Sequence, residues 1–100
     1  MLVLAMESST SSAKALLYDP EKGVLDSERR LYGPELEQGG RSDGEGVYRL
    51  TLETAARLLE RNGRRKGEIA AIGLCGTWHS LMVCDGSMAP AAPVFSWDFP

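Results

Sequence analysis

The sequence predicts an α/β fold on a mixed sheet, with elements in the chain order β-β-β-α-β plus a further β-hairpin. Three observations carry this expectation. Three short runs, Leu2–Met6, Ala13–Tyr18 and Val24–Tyr32, are joined by tight turns, the pattern of an antiparallel meander. Apolar residues then recur at helical spacing through Val47, Leu50, Ala55, Leu58 and Leu59. A second continuous apolar run, Ile69–Cys75, follows the helix. A strand–helix–strand connection favours a parallel, right-handed return beside the first strand.

Each element has a local reason. Leu2–Met6 is apolar throughout, as a strand covered on both faces would be. Ser8–Ser12 gives five consecutive hydroxyl residues, which suit a turn because their side chains bond nearby backbone groups. Asp19-Pro20-Glu21-Lys22-Gly23 reads as a second turn, with proline fixing φ and glycine supplying the left-handed position. Gly33–Gly46 is polar and glycine-rich and is expected to be a surface loop. Ser42 and Glu45 have capping-box spacing. On the helix, Arg49–Glu53 and Glu53–Arg57 are opposite charges four residues apart. Asn62-Gly63 is expected to end the helix through a left-handed cap. After Ile69–Cys75 comes a turn at Gly76–His79, then a hairpin of Leu81–Cys84 and Val94–Trp97 around Asp85–Pro93. The chain stops at Pro100 directly after a strand, without a closing helix. One sheet face is then expected to lack cover.

Composition narrows the classes. The chain has 100 residues, 43% hydrophobic and 25% charged, ordinary values for a globular protein of one domain at most. The formal net charge of −3 argues against nucleic-acid and membrane partners, which a basic surface would favour. Arg61, Arg64, Arg65 and Lys66 form a local basic cluster, read as a solvated helix end that complements the helix dipole. Met1–Met6 is too short for a membrane span and lacks the marks of a signal peptide. A cytoplasmic protein with free, buried thiols at Cys75 and Cys84 is expected.

The hydroxyl turn is the first candidate site. A tight turn can aim several backbone N–H groups at one anion. Small side chains allow close approach, and Thr10, Ser11 and Ser12 offer hydroxyl donors. Trp78 and His79 form a second candidate, since an indole stacks on the apolar face of a sugar and an imidazole bonds its hydroxyls.

The run from Leu4 to Asp19, with Glu7-Ser8-Ser9-Thr10-Ser11-Ser12-Ala13-Lys14 at its turn, resembles the start of the FGGY carbohydrate kinases. Ile69–Leu81, with Thr77-Trp78-His79-Ser80, is similar to that family's later strand and substrate-side turn. The Trp-His-Ser form looks most like the gluconate-kinase-like and xylulokinase branch. Pro93–Asp98 is similar to the family's strand ending in Trp-x-Asp.

The resemblance implies a partial actin-like ATPase (ribonuclease H-like) fold. Residues 1–100 would then be part of the N-terminal domain, without the C-terminal domain. It implies transfer of the ATP γ-phosphate to a sugar, sugar-acid or polyol hydroxyl, with Mg2+. It implies phosphate or magnesium contacts at Glu7, Ser9, Thr10, Ser11, Ser12 and Lys14, and substrate contacts at Trp78, His79 and Asp98. Glu7 would hold magnesium through a water. The family's catalytic base is expected beyond residue 100, so these residues alone are expected to be inactive. The unfinished sheet suggests that neighbours are needed in isolation and leaves room for a homo-oligomer, while the sequence does not give the oligomeric state.

Three positions depart from the family pattern. Glu7 replaces its aspartate, Ser9 replaces its glycine, and Asp98 comes one residue early, with Phe99 where the aspartate would fall. A positive φ at Ser9 would cost roughly 1 kcal/mol. Lys14 has two readings, toward the phosphates or on a plain exposed strand face. The departures also leave an alternative, a non-catalytic actin-like module that has lost nucleotide binding.

Overall fold

The meander forms as the sequence predicts, from β1 (Leu2–Ser8), β2 (Ser12–Asp19) and β3 (Gly23–Leu31). The structure is a computed structural model, and it describes residues 1–77 and 79–100. β1 and β2 pair antiparallel from Val3–Tyr18 to Ser8–Ala13, and β2 continues antiparallel to β3. The Asp19–Gly23 turn closes as expected. Glu21 donates its backbone N–H to Asp19 Oδ1 at 2.8 Å, and Gly23 takes φ +87°.

Helix α1 (Gly44–Arg61) and a 3-10 turn (Gly63–Glu68) lead into β6 (Ile69–Cys75). β6 runs parallel to β1, as the strand–helix–strand rule requires. The main sheet has the order β3-β2-β1-β6. α1 lies over β1, β2 and β3. Its buried stripe is Leu50, Thr54, Ala55 and Leu58. Ala55 and Leu58 meet Leu4, Ala15 and Leu17 to make the core. Thr54 breaks the apolar pattern, and its buried hydroxyl is satisfied by donating to Leu50 O at 2.6 Å.

Several local expectations are corrected. Residues 33–46 are not simply a loop. They hold β4 (Glu37–Gln38) and β5 (Arg41–Ser42), joined by Gly39 and Gly40 at φ +61° and +78°. Those two angles suit the turn of a tight hairpin. Ser42 is therefore in a strand, and Asp43, not Ser42, is the helix N-cap, without a side-chain cap bond.

Glu53 pairs with Arg30 of β3 at 3.3 Å, and Arg49 pairs with Glu45 at 3.8 Å. Tertiary packing brings a strand cation nearer than the helix neighbours. The helix does not end in a left-handed cap, since Asn62 sits at φ −117°. Its side chain does the capping, donating Nδ2 to Leu58 O at 2.8 Å.

Arg61 is more than a solvated cation. It donates to Glu28 at 2.7 Å, to Asp26 at 3.2 and 3.3 Å, and to Ser27 O at 2.9 Å. Arg65 donates to Asn62 Oδ1 at 2.8 Å. β6 is largely exposed, with Ile72 at 61% and Leu74 at 77%; it is an edge strand, and Ile69 at its start packs against the core. Cys75 is accordingly exposed and Cys84 half-buried, and both thiols are free.

The expected second hairpin forms only in part. Leu81 and Phe95 exchange two backbone bonds of 2.9 Å. β7 (Val94–Phe95) then pairs with β5, giving a small sheet of order β4-β5-β7. Asp85 closes the intervening loop by accepting from Ser87 and Ala89 backbone N–H groups.

Leu58 is fully buried. Leu58→Ala should lower the unfolding free energy by about 2–5 kcal/mol, read from urea denaturation. Asp26 gives a pH test. The Arg61 guanidinium, with help from Asn62, holds its carboxyl down at about 2, against 3.8 without partners. A depressed folded-state pKa means its stabilisation is present above about 3.8 and lost as pH falls toward 2. Asp26→Asn should flatten the stability loss across that window in acid-titrated thermal melts.

Candidate functional site

The site assembles where β1 and β6 end together. Their parallel register sets Glu7 beside Cys75. The turn after β1 and the turn after β6 therefore lie side by side. Thr77 joins them by donating Oγ1 to Ser8 O at 2.8 Å.

The β1–β2 turn is closed by Ser9 N–H donating to Ser12 O at 2.9 Å. Ser9 Oγ also donates to Ser12 O at 2.9 Å and lies 3.1 Å from Ser12 Oγ. Ser9 is not at positive φ, so the feared backbone strain is absent. Its hydroxyl is instead used inside the turn. The amide N–H groups of Thr10 and Ser11 have no hydrogen-bond partner among the described residues. Thr10 Oγ1 accepts from Trp97 Nε1 at 3.4 Å, and Ser11 is exposed.

Alternation along β1 splits the neighbours between two faces. Glu7 lies opposite Lys14 of β2 on the side away from α1. Ser8 lies on the α1 side, where its Oγ is 3.4 Å from both Tyr32 Oη and Thr51 Oγ1. On that side a cleft of about 440 Å³ opens, lined by Ser8, Ser9, Tyr32, Thr51, Thr77 and Ser80 among others. Burial pushes the Tyr32 phenol up from its ordinary value; the bond to Ser8 opposes this, and the Glu7 carboxylate adds to it.

The other expected site residues stand as follows. Trp78 lies outside the described residues. His79 is exposed at φ +51°, a left-handed conformation that bends the chain sharply after β6. Asp98 is exposed in a turn closed by Phe99 N–H donating to Ser96 O at 3.0 Å. Phe99 packs edge-on against Phe95 at 4.9 Å and beneath the Arg41 guanidinium at 5.1 Å. Ser96 anchors this turn to the small sheet through two bonds to Gly40 O, of 2.8 and 3.0 Å. The structure thus brings Ser8–Ser12, Thr77, Ser80 and Trp97 to one end of the sheet.

Sequence reasoning passed over Tyr32 and Thr51. Thr51 carried a signal, a hydroxyl four residues after Val47 and so on the helix face that turns inward. Among the described residues, no three His, Cys, Asp or Glu side chains group closely enough to hold a metal. Glu7, the residue expected to hold magnesium through a water, stands at the end of β1 opposite Lys14. Also among the described residues, no helix is long and apolar enough to cross a membrane.

This arrangement defines an α/β domain whose polar site sits at the carboxyl ends of β1 and β6. Solved structures share the fold. A xylulose kinase from Rhodospirillum rubrum superposes with TM-score 0.84 at 17% identity, covering 100% of this chain and 21% of that one. A gluconate kinase from Lactobacillus acidophilus gives 0.77 at 22%, covering 99% and 20%. A Plasmodium falciparum glycerol kinase, solved with ADP, gives 0.68 at 14%, covering 99% and 21%. The fold is the actin-like ATPase fold of sugar kinases, present in part.

Curated relatives agree in sequence. A glycerol kinase of Methylobacterium nodulans is 27% identical over 86 residues, 84% of this chain and 17% of the relative. Glycerol kinase 1 of Thermotoga maritima is 29% identical over 76 residues, 74% and 15%. The chain spans about a sixth of the length of these relatives. No protein-family model matches. In sequence the chain is similar to glycerol kinases, and in fold to xylulose and gluconate kinases.

Gly40 is the close-contact point of the site's support. A Cβ there would meet Phe99 Cα at 2.6 Å, at a φ of +78°. Gly40→Ala should loosen residues 94–100, seen as faster amide exchange at Ser96, with exchange at Leu17 unchanged.

Proposed function

We propose that these residues form part of an ATP-dependent carbohydrate kinase. The Thr10 and Ser11 amides receive phosphate oxygens of ATP, and the neighbouring cleft takes the acceptor. One observation supports this reading: among the described residues, two amides of a tight turn lack partners where three segments converge. Backbone N–H groups left open in a tight turn can serve as donors to phosphate oxygens.

The acceptor is a sugar, sugar acid or polyol, and the setting is the cytoplasm. Lys14 supplies positive charge beside the turn. Glu7 holds magnesium through a water, and the ion, when bound, neutralises charge on the phosphates. His79, Trp78 and Asp98 are the proposed sugar contacts. These residues are the wall of an N-terminal domain, and the proton-accepting base comes from beyond residue 100.

A specific observation favours a second reading. The Ser9 and Ser12 hydroxyls bond to one another's residues rather than facing outward. A turn closed in this way suits a module that kept the fold and lost nucleotide.

Titration calorimetry of the intact protein carrying this chain, with ATP and Mg2+, separates the two. Heat of binding, and phosphate transfer lost in Glu7→Ala with the melting temperature preserved, is the expected result. No heat at millimolar ATP would replace the kinase reading with the second one.

A further inference from the structure

On the side of the main sheet away from α1, three charged residues occupy one row. Glu7, Lys14 and Arg29 are successive cross-strand partners on β1, β2 and β3. Side chains alternate along β3. Glu28 and Arg30 therefore face α1, where they engage Arg61 and Glu53. Arg29 faces the other way, beside Lys14.

Arg29 also reaches the turn. Its Nε donates to Ser12 Oγ at 3.4 Å, and Ser12 is 5% exposed. Among the described residues, no carboxylate lies within ion-pair distance of Arg29 or Lys14. Like charges directly opposite each other on an antiparallel pair repel. The row holds two cations and one anion, next to two amides without a partner among the described residues.

We propose that Arg29 is a second cationic arm of the phosphate turn, binding a polyphosphate anion together with Lys14 and the Thr10 and Ser11 amides. With Nε held by Ser12, the two terminal nitrogens of the guanidinium remain free to grip phosphate oxygens in a fork. An anion there also relieves the repulsion between Arg29 and Lys14. This assignment rests on the phosphate reading of the turn and adds a residue to it.

Titration of the intact protein carrying this chain with sodium tripolyphosphate at low salt tests it. Arg29→Gln should weaken binding about 10-fold, the scale of a lost charge-assisted pair, with the melting temperature unchanged. Arg29→Lys keeps the charge and the strand but loses the fork, and should still weaken binding several-fold. Arg30→Gln removes the same charge from the α1 face and should leave affinity unaltered. Unchanged binding in Arg29→Gln overturns the assignment while the turn reading stands. An equal loss in Arg30→Gln overturns it too, since general charge would then explain the effect. No binding by the unaltered intact protein removes the turn reading and this one together.

Discussion

β1 and β6 run parallel with Glu7 beside Cys75, and the geometry of the site follows from that register. A parallel pair ends both strands at one edge, so their two following turns are neighbours. Thr77 can then bond Ser8 O, and the cleft is bounded by both turns. A slip of one residue would reverse the faces of β6 and move its turn away from Ser8. The register itself depends on α1, which carries the chain back across the sheet and buries Leu58 against Leu4 and Leu17.

The far end of α1 is fastened by charge. Arg61 grips Asp26, Glu28 and Ser27 of β3, and Asn62 adds a bond to Asp26. The Arg61–Asp26 pair lies at the surface, where such a pair contributes little by itself. Its geometry matters more than its energy, since four hydrogen bonds from one guanidinium fix how the helix lies on β3. The near end of α1 follows directly on β5 of the small sheet. That sheet holds β7 and the turn after it, and so brings Trp97 to Thr10.

Much of this was legible in the chain. Short, mainly apolar runs and turn residues gave the meander, and the Asp19–Gly23 turn closed as its proline and glycine required. Helical spacing gave α1, and the connection rule gave the parallel return of β6. The site was legible in part. Hydroxyl composition marked the turn at Ser8–Ser12, but not that Ser9 would bond inward to Ser12 while the Thr10 and Ser11 amides stayed without a partner among the described residues. Tyr32 and Thr51 join Ser8 from 24 and 43 residues away, a distance that no local pattern encodes. The helix ion pairs were misread for the same reason, because Arg30 reaches Glu53 only across the fold.

The sequence by itself determined the class of fold, the order of its main elements and the family they resemble, since each rests on local periodicity and turn chemistry. Tertiary structure alone decided which side chains meet. It set Ser8 into a cleft and Glu7 on the opposite face, paired Arg61 with β3 rather than with solvent, and recruited β7 into a sheet with β5. The physical reason is that propensity acts between neighbours in the chain. Hydrogen bonds, ion pairs and close contacts act between neighbours in space, and only the packed chain chooses those.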